Sequence, residues 1–167
     1  MKKDKMKEES NQQHQAFMAR AVALSIEAIE AGTGGPFGCV IVKDGSIIAE
    51  GKNCVTSTND PSAHAEVDAI RKACQHLNDH QLTDCILYTS CEPCPMCLGA
   101  IYWARVTTVY YANTNEEAAS AGFDDGFIYK EIEKPIELRS IKFSHLPDEE
   151  APKAFQIWKD RPDKIEY

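Results

Sequence analysis

The sequence predicts an α/β layered domain. Apolar, β-branched runs alternate with helix-periodic segments along the chain, and the Asp44-Gly45 dipeptide joins two of those runs as a hairpin. The length of 167 residues suggests one domain, long enough to bury a core. Hydrophobic residues at 43% and charged residues at 26% are ordinary for a soluble globular chain. The net charge of −8 argues against broad nucleic-acid binding, which needs a basic footprint.

The elements follow in order. Residues 1–11 are polar and charged and read as a flexible tail, with no secretory signal behind them. A helix then runs to about Ala31, with Phe17, Ala21, Leu24 and Ala28 on one face and Met18, Val22 and Ile29 beside them. Gly32 to Pro36 breaks it. This glycine-rich loop lacks a Lys-Ser/Thr pair and a following helix, so it is not a phosphate loop. Phe37 to Lys43 and Ser46 to Glu50 are the hairpin strands. Asn53 to Asn59 reads as a polar loop. Asn59 or Asp60 is expected to cap the next helix, with Pro61 at its first position and Val67, Ile70, Cys74 and Leu77 as its buried face. Ile86 to Ser90 is a short strand, and a helix opens at Cys94-Pro95. Val106 to Tyr111 is a further strand, and Thr114 to Glu117 is a capping box. A short helix is expected around Asp125–Ile132, a strand around Ser140–Phe143 and a polar linker from His145 to Pro152. Ala154, Phe155, Ile157 and Trp158 form an apolar patch on a last helix. No run of about 18 apolar residues exists, so no membrane span is expected.

The chemistry concentrates in His64-Ala65-Glu66 and Pro93-Cys94-Pro95-Met96-Cys97. Zinc binds His nitrogen and Cys thiolate, and three protein ligands leave its fourth position open to water. His64, Cys94 and Cys97 supply three, and Glu66 is placed to handle protons. Bound zinc lowers the pKa of water to about 7 and yields a nucleophile at neutral pH. Glu66 would take that water's proton and return it to the reacting substrate. At i and i+2, His64 and Glu66 would diverge in a regular helix, so the first turn must open or the Glu side chain must fold back. The competing reading is a closed structural zinc, because Cys91 stands three residues before Cys94 and completes a Cys₃His set. Cys39, Cys54, Cys74 and Cys85 read as small packed apolar groups. With no disulfide framework expected, the thiols suit a cytoplasmic setting.

The H-x-E and P-C-x-x-C segments together resemble the zinc nucleobase deaminases. From about Phe17 to Tyr167 the chain resembles, more particularly, the bacterial guanine deaminases of the cytidine-deaminase-like superfamily. The shared segments are Gly34 to Gly38, Thr58 to Pro61 with His64 to Glu66, Tyr88 to Cys97, Ala121 to Asp125, and the terminal Glu166-Tyr167. The resemblance implies a three-layer α/β/α fold with a central five-stranded mixed sheet. It implies hydrolysis of guanine to xanthine and ammonia with one zinc ion per subunit, and a catalytic domain over 12–145. It further implies a homodimer in which 146–167 swaps onto the partner, with no nucleic acid or membrane involved. Position by position, Glu66 and Asp125 resemble catalytic groups. Asn53 resembles the amide on the purine edge, and Phe37 the ring that stacks on the base against His64. Ala65 lies in the same pocket, and Tyr167 resembles the tyrosine donated by the partner.

Guanine suits an acceptor carboxylate such as Asp125, because one edge presents a ring N–H and an amino group. Adenine lacks that N–H, and a buried unpaired group costs about 1–3 kcal/mol. A tRNA adenosine deaminase, a cytosine or nucleoside deaminase, and a non-catalytic zinc module are the remaining readings.

Overall fold

The computed structural model describes residues 2–167, with side chains from residue 11 onward. The tail expected over 1–11 is helical in its backbone from Lys2 onward, and of its side chains only that of Asn11 is described. The chain divides into two compact units, Met1–Gly126 and Phe127–Tyr167.

In the first unit, helix α1 (Lys2–Glu30) buries Ala21, Leu24 and Ala28, while Ile29 turns to solvent. Gly32 ends it with a positive φ of 63°. Strands β1 (Gly38–Lys43) and β2 (Ser46–Lys52) are joined by Asp44 and Gly45, both at positive φ. That is the two-residue hairpin turn the dipeptide predicts. The expected polar loop holds a short helix, α2 (Val55–Thr58).

Helix α3 (Ala65–Leu77) begins four residues later than expected. Asp60 does not cap it: its carboxylate accepts Ser62 N–H at 2.8 Å and Ser62 O–H at 2.7 Å, which closes a separate turn. The buried face of α3 is also rotated from expectation. Ala65, Ala69 and Ala73 lie innermost with Ile70, while Val67, Cys74 and Leu77 are only partly buried. Strand β3 (Ile86–Cys91), helix α4 (Pro95–Trp103) and strand β4 (Thr108–Asn113) follow. Helix α5 (Asn115–Ser120) carries the predicted capping box in full, and α6 (Gly126–Glu133) opens near the expected position.

The sheet is mixed and has the order β2-β1-β3-β4. β1 is antiparallel to both β2 and β3, and β3 is parallel to β4. The parallel pair needs a crossover, and α4 provides it. The sheet has four strands rather than the expected five. Ser140–Phe143 enters no ladder among the described residues, and Ile141 and Phe143 are exposed at 71% and 53%. A strand is held by its partner's hydrogen bonds, so apolar, β-branched sequence alone does not make one.

Side chains alternate across the sheet. Val40, Val42 and Tyr88 pack with Ala21 and Leu24 of α1. Cys39, Ile41 and Leu87 pack with Ala65, Ala69 and Ile70 of α3 and Ile101 of α4. Two glycines set the depth of these layers. A Cβ on Gly38 would stand 2.3 Å from Ala21 O, and one on Gly51 would stand 2.1 Å from Ala65 O. Each helix therefore rests on sheet backbone, and α3 presents alanines because nothing larger fits there.

In the second unit, α6 is followed by a 3₁₀ turn (Ile136–Leu138) and helix α7 (Ala151–Asp160). The Arg139 guanidinium donates to Lys134 O and Ile132 O, and Glu131 accepts Ser140 N–H and O–H. The apolar patch expected on the last helix is exposed, with Phe155 at 72% and Ile157 at 65%.

Candidate active site

Two helix starts meet at the C-terminal end of β3. His64 is the N-cap of α3, with extended backbone (φ −76°, ψ 156°). Cys94 is the N-cap of α4 in a similar conformation, and Pro95 takes the first helical position. The late start of α3 removes the geometric conflict between His64 and Glu66. His64 lies outside the helix and Glu66 inside its first turn, so the i, i+2 divergence of a regular helix does not apply.

His64 Nδ1 lies 3.5 Å from Cys94 Sγ and 3.5 Å from Cys97 Sγ. All three donor atoms fall within 4.8 Å of one another. A tetrahedral zinc, at about 2.0–2.1 Å from nitrogen and 2.3 Å from sulfur, holds those donors about 3.6 Å apart. The residues present fit the ion. The thiols point the same way: Cys97 beside it holds the Cys94 thiol down at about 4, and Cys97 is in turn pushed up. Two thiolates this close repel, and a divalent cation between them removes the conflict. Cys91 does not join them. Its S–H donates to Thr114 O at 3.6 Å, and burial pushes its thiol up to about 11. The closed Cys₃His arrangement is not formed.

Glu66 is buried, and burial raises its carboxyl above the ordinary range. Thr89 O–H donates to Glu66 Oε1 at 3.1 Å, while Oε2 stands 3.4 Å from Cys97 Sγ. Thr89 has the same sheet parity as Leu87, so it faces the α3 layer. Its role was missed from sequence. A threonine in a fully buried strand must satisfy its hydroxyl, and that was the available signal.

Asn53 is buried, and its Oδ1 accepts two backbone N–H groups, Gly35 at 3.1 Å and Val55 at 3.2 Å. Its acceptor is thus engaged, and the side-chain NH₂ is the group left to present to a ligand. Phe37 is half-buried at the edge of the α3-side core and meets Phe123 edge-on, with ring centroids 5.0 Å apart. Ala65 is fully buried at the start of α3. Asp124 accepts Gly126 N–H at 2.9 Å, which closes a turn just ahead of α6. Asp125 is half-buried, and its carboxyl is raised by burial and by Cys94. His64 is in turn raised, chiefly by Cys94 with Asp125 contributing, so Asp125 lies within electrostatic range of the metal-binding group. Tyr167 is the last residue of the second unit and is largely exposed.

An open His-Cys-Cys set with a buried glutamate beside it, under a sheet layered by helices, defines a zinc-dependent deaminase. The chain belongs to the cytidine and deoxycytidylate deaminase zinc-binding family, whose zinc-binding region it matches over residues 11–113. It is 62% identical to the guanine deaminase of Bacillus subtilis over 154 residues, 92% of this chain and 99% of that protein. The X-ray structure of that enzyme superposes with a TM-score of 0.89, covering 92% and 98% of the two chains. A tRNA-specific adenosine deaminase of Aquifex aeolicus is 34% identical over 116 residues, 70% of this chain and 74% of that protein. A guanine deaminase structure from Nitrosomonas europaea matches at 36% identity and a TM-score of 0.63, covering 66% and 64%.

Proposed function

We infer that this chain hydrolyses guanine to xanthine and ammonia. The carrying observation is the open His64, Cys94 and Cys97 set beside buried Glu66, in a chain 62% identical to Bacillus guanine deaminase. His64, Cys94 and Cys97 would hold zinc, which would acidify a water so that a nucleophile is available near neutral pH. Glu66 would take a proton from the attacking water as its oxygen adds to carbon 2 of the purine, and would return it to the adjacent ring nitrogen. A further proton moves through Glu66 to the amino nitrogen, the carbon–nitrogen bond breaks, and ammonia leaves. Thr89 holds Glu66 Oε1, so the carboxylate is positioned before the substrate arrives. Backbone N–H groups at the start of α4 favour negative charge near the attacking oxygen.

On the substrate side, Asn53 offers its NH₂ to an acceptor on the purine edge. Asp125 accepts from guanine's amino and ring N–H groups. Phe37 and the His64 ring sandwich the base, and Ala65 lines its edge. The protein works in this reading as a cytoplasmic homodimer in purine breakdown, with Tyr167 of each C-terminal segment closing the partner's site. None of the seven cysteines is paired in a disulfide, which suits a reducing compartment. No helix among the described residues is long and apolar enough to cross a membrane.

The test is release of ammonia by the zinc-loaded protein from guanine, adenine, cytosine, cytidine and tRNA. Guanine alone is expected to react. Release from tRNA with none from guanine would move the protein to the adenosine deaminases, and release from no substrate would leave a zinc-binding module.

A further inference from the structure

We infer that Phe123 is a positioning residue for substrate recognition: its ring clamps the segment bearing Asp125 onto the loop that aims Asn53. The inference rests on the reading of Asp125 and Asn53 as guanine-binding groups and deepens it.

The Phe123 ring meets Phe37 at 87° with centroids 5.0 Å apart. It also lies against Gly35. A Cβ built there would stand 3.0 Å from Phe123 Cε1 and 3.1 Å from Phe37 Cε2. Gly35 in turn donates its N–H to Asn53 Oδ1. Gly34 beside it is equally constrained, because a Cβ there would stand 2.1 Å from that oxygen. One short loop therefore touches both arms of the recognition site, Asn53 through its backbone and the Asp125 segment through Phe123.

Backbone bonds tie the segment at its two ends. Gly122 and Phe123 N–H groups donate to Ala119 O and Ala118 O, and Gly122 kinks the chain at φ 93°. Asp124 is tied to Gly126. These bonds shape the turn locally, and the Phe123 ring reaches across to the Phe37 loop. The ring is 43% exposed, too open for a residue placed only to fill a core. An edge contact between rings has a preferred geometry, so it fixes orientation as well as separation. A carboxylate two residues along is thereby set against the base edge, where a displacement of about 1 Å costs as much as 10²-fold in rate.

The test is a double-mutant cycle on the zinc-loaded enzyme. Phe123→Ala is expected to lower kcat/KM for guanine about 10- to 100-fold, with zinc content and unfolding temperature unchanged. Phe123→Tyr, which keeps the edge contact, should restore most of the activity. In an Asp125→Asn background, Phe123→Ala should cost no more than about threefold further, because the group it positions is already lost. Guanine binding to the slow Glu66→Gln variant gives a second readout, and Phe123→Ala in that background should weaken Kd about tenfold. Should Phe123→Ala fold poorly, Phe123→Leu keeps the bulk without the edge contact and carries the same cycle. The clamp is overturned if the two losses multiply in full, or if Phe123→Ala matches the parent in turnover and Kd. Full turnover by Asp125→Asn alone would instead remove the reading of Asp125 on which the clamp rests.

Discussion

Glu66 is the residue on which the proposed chemistry turns. It is buried beside two thiols and one imidazole, with a single hydroxyl holding one of its oxygens. Burial favours its neutral form, and a carboxyl poised to gain and lose a proton is what a shuttle needs. Glu66→Gln keeps the volume and should keep stoichiometric zinc, while kcat falls at least ~10²-fold. Metal analysis beside steady-state ammonia release reads both. Loss of zinc from this variant would make Glu66 a structural support of the metal site. Thr89→Val tests the positioning. It removes the O–H and strands a buried carboxylate oxygen, so kcat should fall about tenfold with KM little changed, and Thr89→Ser should recover most of it. Equal activity in the Val variant would show that the Thr89 hydroxyl does not position Glu66.

Among the elements, α3 and α4 decide the site, because each gives its N-cap residue to the metal-binding group. Both helix starts turn first-turn N–H groups and positive dipole ends toward thiolate and carboxylate: a Cys97 backbone bond lowers the Cys94 thiol, and a backbone bond at Glu66 works against the larger effect of its burial. Their placement depends on contact with the sheet. Gly51 of β2 lies directly beneath Ala65 and Ala69, with an added Cβ 2.1 Å from Ala65 O and 2.6 Å from Ala69 N. Gly51→Ala should therefore push the start of α3 off the sheet. Overpacking of this kind costs about 1–3 kcal/mol, and here it would also displace His64 and Glu66. The expected outcome is a lower unfolding temperature with weaker zinc retention under a competing chelator. A variant that loses stability and holds zinc as before would show that α3 can tilt without moving its first turn.

At the scale of the whole molecule, the second unit, Phe127–Tyr167, carries the chain end that the proposed dimer uses. In the proposed swapped dimer, Tyr167 of one subunit closes the other's site. The ring packs on the base and the hydroxyl meets a polar edge. Removing Ile165–Tyr167 should leave a folded, zinc-loaded protein with sharply reduced guanine turnover. Mixing that truncation with Glu66→Gln should restore part of the activity after subunit exchange, because one site of the heterodimer then has both groups. Exchanged heterodimers, confirmed by mass, that stay inactive would sink the donated-tyrosine reading.

Much of this was legible in the chain because the rules involved are local. Asp44-Gly45 can take positive φ at both positions, so the hairpin was readable. Thr114 and Glu117 satisfy each other's backbone groups, so the cap was readable. The three metal donors were readable because zinc chemistry restricts both residue type and spacing. What stayed hidden depends on a partner distant in sequence. Ser140–Phe143 has strand-like residues, but a strand is made by the ladder it joins. The start of α3 moved because Asp60 bonded Ser62 instead, and that shift lets His64 and Glu66 converge. Thr89 meets Glu66 across 23 residues, and Phe123 meets Phe37 across a far longer separation. The sequence by itself determined which atoms can bind zinc and carry protons. Only the tertiary structure decided which of them face one another, because that depends on how closely helices approach a sheet at two glycines.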